Sequence, residues 1–574
     1  MTAEQKNPAP NLPNLRSLVG VRRRLRDATL AALAGLMLAV AYPPLELEFL
    51  AWFWTLPILL APVSRVKRWR ILNGYILGVS LFLPSLWWLN TIGFQAGLIL
   101  GLACAVFPMA WYSLTGSVLN RLTPRPHPAQ ETPSTPEQYT LSPTRLSAPR
   151  YILLMLFSAA AWITLEWIRA WILTGFPWNH LGTSQWQNPV MLSLLPWTGV
   201  YGPGFLMICV AFVAAWIIAG WYRRLRHGTA RPSPIPAMAV VALFLPVLIL
   251  NLRTSQIPPP SGSLRVAAVQ GNIPQIRAYT DQQFRATLEI YDTLTRQAVH
   301  AYPDVDLVVW PETAIPAPLF ADAHYYQTLR RLISDTGVPM LIGSLHIQQL
   351  FPDREDTIID TNSALQLNAD AELVDFYSKT HLVPFGEYVP FGDTFPALRE
   401  AIGMGRDLTA GREFTIFNLP KNVRAGVNIC YEDAFPEISR QFVLRDADLL
   451  VTLTNDAWYA TSAGPRQHMI HAVLRAVENR RPLFRSGNNS DTCLILPDGS
   501  VSGALIDPLT GNRFVRGWRT YDIPIYRATP LTFYTRHGDL FAYVCTAATF
   551  LALAAVCAFK LTRHHRLWQI ISQE

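Results

Sequence analysis

Three segments of this chain carry groups that can act on one another. Cys430 ends the apolar run Ala425-Gly-Val-Asn-Ile and is followed by Tyr431-Glu432-Asp433. Glu312 follows Trp310-Pro311, and Tyr377-Ser-Lys379-Thr-His-Leu-Val-Pro-Phe-Gly-Glu387-Tyr supplies an amine and a second carboxylate. A thiol must lose its proton to attack a carbonyl, a carboxylate within hydrogen-bond reach can take it, and an ammonium can stabilise the oxyanion that forms. The set suits acyl transfer through a thioester. Taken singly, each residue has a plainer reading: a small buried hydrophobe for Cys430, a helix cap for Glu312, a solvated charge for Lys379. Their joint occurrence, in order, within one hydrophilic block is what points to chemistry.

That block alternates strands and helices. Arg265–Gln270 reads as a strand, 281–300 as a helix, Asp306–Trp310 as a strand, 322–335 as a helix and Val338–Gly343 as a strand. Ser363–Leu367 and Glu372–Tyr377 alternate in polarity and are joined by Asn368-Ala-Asp-Ala, which predicts a hairpin. After Cys430 come a helix, the strand Asp448–Leu453 and a helix over 465–480. A layered α/β domain follows, with Glu312, Lys379 and Cys430 each just past a strand, where functional side chains tend to project.

The surroundings are of another kind. The 574 residues are half hydrophobic and only 15% charged, and apolar runs lie near 28–43, 48–64, 71–90, 95–119, 151–174, 190–222, 236–252 and 538–560, each read as a membrane span. Lys and Arg gather before the first run (Arg16, Arg22, Arg23, Arg24, Arg26), and after the second, fourth, sixth and eighth, whereas the odd-numbered connections 43–48 and 90–95 carry none. Basic residues mark the cytoplasmic side, so both termini are expected there and the soluble block across the membrane. The expected boundaries are a cytoplasmic segment 1–26, a membrane domain 27–252 with a Pro/Thr/Ser-rich disordered loop at 123–150, a catalytic domain 253–536, an eighth span 537–561 and a cytoplasmic tail 562–574. The first run has no small-residue cleavage site after it and reads as a retained anchor.

The net charge of +8 is dispersed among inner loops rather than clustered on a soluble face, which argues against nucleic-acid binding. Of the six cysteines only Cys430 and Cys493 fall in the soluble block; a bridge between them is open in an oxidising compartment, and without a CxxC pair structural zinc is not expected. His468 and His471 share a helix face with no adjacent carboxylate motif, so no metal is expected there. Gly199–Gly204 lacks the preceding strand of a phosphate loop, and no GxSxG elbow is present. Glu166 and Arg169, at i and i+3 in the fifth run, read as mutual neutralisation or as headgroup contacts. Most of the 18 tryptophans read as an interfacial belt.

The motifs Val269-Gln-Gly-Asn-Ile-Pro, Val309-Trp-Pro-Glu312-Thr-Ala-Ile-Pro316, Lys379 through Pro390, Ile429-Cys430-Tyr-Glu432, Asn455-Asp-Ala-Trp458 and Arg481-Pro-Leu-Phe-Arg485-Ser-Gly-Asn-Asn resemble those of the nitrilase superfamily, with its Glu-Lys-Cys triad. Within it, the order of spans and soluble block resembles the bacterial apolipoprotein N-acyltransferases over nearly the whole chain. The resemblance implies eight transmembrane helices with a nitrilase-like αββα sandwich in the periplasm, anchored in the inner membrane. It implies a two-step transfer: Cys430 takes a fatty acyl group from a phospholipid, then gives it to the α-amine of the diacylglyceryl N-terminal cysteine of an apolipoprotein. By motif match Glu312 is the base, Lys379 the oxyanion cation and Glu387 its orienting carboxylate. The Tyr431 N–H is then an oxyanion donor, and Glu432 and Trp458 support the thiol and acyl chain. Trp178, in an outward loop after the fifth span, and Phe385 are candidate substrate contacts; Asn179-His180 depart from the more apolar residues expected beside Trp178. No cofactor is implied, and a monomer is expected.

Two other readings use the same residues. A membrane-tethered amidase or nitrilase would pass the acyl group to water. A transporter would need charges in several spans, and here they amount to one Glu and one Arg. Phe391 through Phe414, which includes Phe395, Leu398, Ile402 and Met404, is expected as a lid that dips into lipid.

Overall fold

The computed structural model describes residues 15–61, 63–93, 95–123, 140–254, 257–275, 280–321, 323–349, 358–402 and 407–571. Residues 1–14, most of the expected loop (124–139) and Met404 of the expected lid lie outside them.

A helical bundle and an α/β domain share one seam. The bundle holds Leu15–Ala39, Lys67–Leu86, Ala96–Cys104 continued by Val106–Leu122, Ala148–Trp171, Tyr201–His227, Ile235–Thr254 and Leu540–Ile571. Close approach of the second and third of these depends on Gly78, where a Cβ would lie 2.5 Å from the Ala105 carbonyl oxygen, a small-residue contact of the kind that membrane helices use. Among the described residues five stretches are long and apolar enough to cross a membrane: Lys67–Thr91, Ala96–Leu122, Ala148–Thr174, Tyr201–His227 and Leu540–Ala558. Eight were expected. The run 48–64 is interrupted by prolines and forms a 3-10 turn, Glu48–Trp52, then a five-residue helix, Leu56–Leu60. The run from 190 is broken by two short helices and Gly199 at φ 60°, so its long helix starts only at Tyr201. Part of the stretch expected to be disordered is folded: Thr140–Leu141 pairs antiparallel with Val63–Ser64.

The α/β domain has two sheets. One runs, in spatial order, Gly517–Ile525, Gly262–Gln270, Leu307–Val309, Met340–Gln349, Ile358–Leu367, Leu373–Ser378; the other Val501–Ser502, Cys493–Ile495, Leu483–Gly487, Leu449–Thr454, Val423–Ile429, Ile416–Leu419. Central pairs are parallel (Val427 opposite Val451, Val451 opposite Phe484) and outer ones antiparallel, including the expected hairpin. Period-two alternation assigns the faces. In the first sheet Leu264, Val266, Ala268, Val309 and Leu341 pack toward the second sheet's Ala425, Val427, Ile429 and Val451. Their neighbours Ala267, Val269, Val308 and Ile342 pack on Phe284, Leu288, Leu329 and Leu332 of helices Asp281–Ala301 and Ala323–Thr336. Pro436–Leu444 and Gly464–Asn479 cover the outer face of the second sheet. The layers are therefore α, β, β, α.

Candidate active site

Glu312 and Lys379 leave one sheet and Cys430 leaves the other, all just past strands Leu307–Val309, Leu373–Ser378 and Val423–Ile429. The three side chains are buried. Lys379 Nζ lies 2.9 Å from Glu387 Oε1 and 3.5 Å from Glu312 Oε1. Asn362 Nδ2 donates to the same two oxygens at 2.8 and 2.9 Å. The remaining oxygens accept backbone N–H groups, Asn455 on Glu312 and Val383 on Glu387, each at 2.8 Å. Both carboxylates are thus fixed in orientation from two sides.

Burial raises the Glu312 carboxyl above its ordinary range; Lys379 pulls it down and Glu387 pushes it up again. Burial alone would lower the Lys379 ammonium, but Glu387, Glu312 and Cys430 reverse that and hold it charged. The Cys430 thiol is pushed well up, by burial first and Glu312 second, with Lys379 opposing and a hydrogen bond to Thr454 helping. Cys430 therefore rests as a thiol, and a thiol becomes reactive only as its proton leaves.

Cys430 adopts φ 52° at the junction between strand and the 3-10 turn Cys430–Ala434. For a residue with a Cβ that left-handed backbone is costly and has to be held by its neighbours. Glu432 supplies one restraint. Its Oε1 accepts Tyr377 Oη, Thr380 N, Thr380 Oγ1 and His381 N between 2.7 and 3.2 Å, and its Oε2 accepts Ile429 N at 2.8 Å. One buried carboxylate therefore ties the lysine loop to the residue before Cys430. His468 supplies another: Nε2 lies 3.1 Å from the Cys430 carbonyl oxygen and 3.0 Å from Asp433, while Nδ1 meets Asp456 at 2.8 Å. Arg485 meets Asp433 and Asp456 at 2.8 and 3.0 Å.

The expectation that His468 has no carboxylate near it fails because Asp433 and Asp456 come from other segments of the chain. Cys430, Asp456 and His468 offer donor atoms within 4.8 Å of one another. Both imidazole nitrogens and the second Asp456 oxygen are already engaged, so the set works as an ion network rather than as a metal cradle.

The other expected residues are spread out. Tyr431 stacks on Trp178 with ring centroids 6.1 Å apart. Trp178 is fully buried, its indole N–H bonded to Gln467. Phe385 is exposed on the loop between Lys379 and Glu387, with φ 63°. The Trp458 ring is partly exposed, and its carbonyl accepts the Thr91 hydroxyl from the bundle. Asn179 and His180 are buried, and both their carbonyls face the Tyr42 hydroxyl. Glu166 accepts Leu181 N at 2.6 Å, and Arg169 donates to the Phe176 and Trp178 carbonyls, so together they tie down the Trp178 loop. Cys430 and Cys493 are free thiols.

Sequence reasoning missed Asn362, the Asn455 N–H, His468 and Gln467 as parts of the site. Asn455 opens the motif Asn455-Asp-Ala-Trp458; Asn362 offered only an amide in an otherwise alternating strand.

A family model described as Carbon-nitrogen hydrolase matches residues 265–510, and one described as Apolipoprotein N-acyltransferase N-terminal domain matches residues 34–213. A Geobacter metallireducens protein named apolipoprotein N-acyltransferase is 30% identical over 546 residues, 94% of this chain and 96% of that one. The chain belongs to the apolipoprotein N-acyltransferase family. An Azotobacter vinelandii protein of the same name is 36% identical over 355 residues, 60% of this chain and 64% of that one. Among solved structures, Nit3 of Saccharomyces cerevisiae, of the nitrilase superfamily, is 18% identical and covers 49% of this chain and 96% of its own, with a TM-score of 0.35. The two matched regions of this family member meet where the Trp178 loop touches the Cys430 turn.

Proposed function

We propose that this chain acylates apolipoproteins through a Cys430 thioester, using a membrane phospholipid as donor and the α-amine of a diacylglyceryl N-terminal cysteine as acceptor. One observation carries the reading: the Lys379 ammonium lies between Glu312 and Glu387 beside a buried thiol, at the seam with an apolar helical bundle.

In the first half-reaction Glu312 takes the Cys430 proton as sulfur attacks the donor ester carbonyl. Charge develops on the carbonyl oxygen, where Lys379 and the Tyr431 N–H stabilise it. The ester C–O bond breaks, Glu312 returns the proton to the departing oxygen, and lysophospholipid leaves. In the second, the acceptor amine attacks the thioester, Glu312 takes its proton, and the amide forms as sulfur leaves and is reprotonated. A carboxyl raised above its ordinary range suits a group that gains and loses a proton in each half. Glu387 and Asn362 hold Lys379 and Glu312 in register, and Glu432 positions the turn.

Both reactants are lipids, and exposing their chains to water costs about 0.8 kcal/mol per CH₂. Trp87, Leu173, Phe385, Phe391 and Phe395 are exposed and apolar around this end of the bundle and catalytic domain, a surface suited to lipid. Phe391 and Phe395 adjoin the helix Pro396–Ile402, which Arg399 fastens to Asp407 at 2.8 Å.

Eight crossings remain the reading for the bundle. Tyr42 touches the loop at 179–180 near the catalytic domain, while Val63 pairs with Leu141 beside the start of helix Ala148–Trp171. The chain between 42 and 63 thus passes from one end of the bundle to the other, although its helices are short. Arg65, Arg70, Arg121, Arg150 and Arg223 bond to partners at the end away from the catalytic domain. That end is cytoplasmic, and the catalytic domain lies in the periplasm.

The test uses full-length protein in detergent with acyl-labelled phospholipid. Label is expected on the Cys430 peptide, labile to hydroxylamine, and should move to a diacylglyceryl peptide with a free N-terminal amine. Label absent from wild type, retained in Cys430→Ala, or released only as free fatty acid when the amine is present would overturn the reading.

A further inference from the structure

Three consecutive residues near the start of helix Gly464–Asn479 face both halves of the molecule. Arg466 pairs with Glu46 at 3.2 Å and lies over the Trp186 ring at 4.6 Å. Gln467 makes four hydrogen bonds, all to the bundle: its Oε1 accepts the indole N–H groups of Trp88 (2.9 Å) and Trp178 (2.8 Å), and its Nε2 donates to the carbonyls of Pro43 (2.9 Å) and Ser85 (3.1 Å). The adjacent His468 points the other way, onto the Cys430 carbonyl, with Asp433 and Asp456 on either side. Both residues are buried.

A side-chain amide with all four positions used is pinned in place and in orientation. Since it shares one helical turn with His468, a displacement of the loops at 43, 85–88 or 178 moves His468 relative to the Cys430 carbonyl. The rings repeat the linkage: Trp178 lies 5.8 Å from the His468 ring and is stacked on Tyr431, and Trp88 meets Tyr459 at 4.8 Å, which in turn meets His468.

We propose that Gln467 and His468 are positioning residues that set the left-handed turn of Cys430 according to the seating of the bundle loops, so that the thiol is correctly aimed only when the bundle is docked on the catalytic domain. This rests on Cys430 being the nucleophile. Neither residue touches the reacting atoms; Gln467 takes its position from the bundle and His468 passes it to the nucleophile's backbone. A periplasmic domain that has come loose from the bundle would then carry a misaimed thiol, which would guard against acyl transfer to water.

The test compares Gln467→Met, Trp88→Phe and the double variant in full-length, detergent-solubilised protein, with rates given per folded molecule from the cooperatively melting fraction. Trp88→Phe keeps a ring and removes one donor to Gln467. Two rates are read: acyl-enzyme formation over a range of phospholipid concentrations, and alkylation of Cys430 by iodoacetamide, which needs no lipid. Misplacement of a reacting group by about an ångström costs up to about 10²-fold. Gln467→Met should therefore lower the maximal acylation rate by about tenfold or more with KM nearly unchanged, and Trp88→Phe by a smaller factor. The double variant should match Gln467→Met, since both act through one side chain, and alkylation rates should shift in the same order. Wild-type acylation and alkylation in Trp88→Phe and Gln467→Met, at whatever melting temperature, would overturn the proposal. Should Gln467→Met not fold, unchanged rates in Trp88→Phe overturn it alone. Failure of wild type to acylate while iodoacetamide still reaches Cys430 would instead count against the thioester reading.

Discussion

Lys379 is the counter-ion of buried Glu312 and half-buried Glu387, and its removal has two effects that can be separated. In Lys379→Met the chain keeps Glu312 and Glu387 with Asn362 and backbone N–H groups as their remaining partners. Breaking a buried ion pair costs about 3–5 kcal/mol, and losing a donor to a developing oxyanion costs about 10²–10³ in rate. The expected outcome is a lower melting temperature together with acyl-enzyme formation reduced at least that much per folded molecule, measured by single-turnover labelling; equal acylation would remove Lys379 from the chemistry. A second prediction concerns His468. Burial would lower it, but Asp433 and Asp456 raise it to about 9. Its folded value exceeds the ordinary 6.5, so its contribution to stability is complete below about pH 6.5 and is lost as pH rises through about 9. The titratable and charged groups around it are Asp433, Asp456, Arg485, His471, the Cys430 thiol and Tyr459. Melting temperature should fall for wild type between pH 7 and 9.5 more steeply than for His468→Gln; parallel slopes would contradict the charged imidazole. The meeting of Glu312, Lys379 and Cys430 was legible because each is displayed after a strand by a motif of unusual composition. His468 was not, because its two carboxylates lie 35 and 12 residues away along the chain and meet it only once the strands Val423–Ile429 and Leu449–Thr454 are paired.

Strands place the carboxylate more tightly than its motif suggests. Met340–Gln349 passes directly behind the Glu312 turn, and a Cβ at Gly343 would lie 2.4 Å from the Pro311 carbonyl oxygen and 2.5 Å from Glu312 Cα. These are backbone atoms and cannot rotate away. Gly343→Ala must displace the turn or the strand, at a cost of about 1–3 kcal/mol, and move the Glu312 carboxylate relative to Cys430. If Glu312 is the base as proposed, a fall of about 10²-fold in the acylation rate at saturating phospholipid is expected, with little change in KM, since the substituted atom lies against the backbone of the Glu312 turn. An unchanged rate would mean that the turn relaxes without moving the carboxylate. At this scale the sequence was informative where elements alternate: the expected strands and helices between 265 and 480 correspond to Gly262–Gln270, Asp281–Ala301, Leu307–Val309, Ala323–Thr336, Met340–Gln349, the hairpin, Leu449–Thr454 and Gly464–Asn479. It was poor for Gly517–Ile525, which completes the first sheet beside Gly262–Gln270. That strand's Asp, Arg and Pro hide its period, and its partner is some 250 residues away. Apolar length alone also overstates two helices of the bundle: 48–64 holds only the five-residue helix Leu56–Leu60, and the run from 190 becomes a long helix only at Tyr201.

For the whole molecule the sidedness of the bundle decides whether the chemistry faces its substrates. The short helices between Glu48 and Leu60 leave the count of crossings open to a direct test, since omitting that stretch would invert either the N-terminus or the catalytic domain. Ser147 and Lys67 are exposed at the arginine-rich end, Leu45 and Asp370 near or on the catalytic side. Single cysteines at these four positions, in a chain whose exposed Cys557 is replaced by Ser, can be probed with a membrane-impermeant maleimide on intact spheroplasts. Leu45→Cys and Asp370→Cys should be labelled from outside, and Lys67→Cys and Ser147→Cys only after permeabilisation. Labelling of 45 and 67 from the same side would mean that the segment between them turns back instead of crossing. Labelling of 147 and not 370 from outside would put the thiol in the cytoplasm. The arginines predict the first pattern, because moving Arg65, Arg70, Arg121 and Arg223 together across a bilayer opposes the retention of positive charge that orients membrane helices. Tyr42 held at the Trp178 loop and Val63 held at Leu141 set the two ends of this segment, so the crossing proposed for it rests on contacts that the apolar pattern of 48–64 does not record.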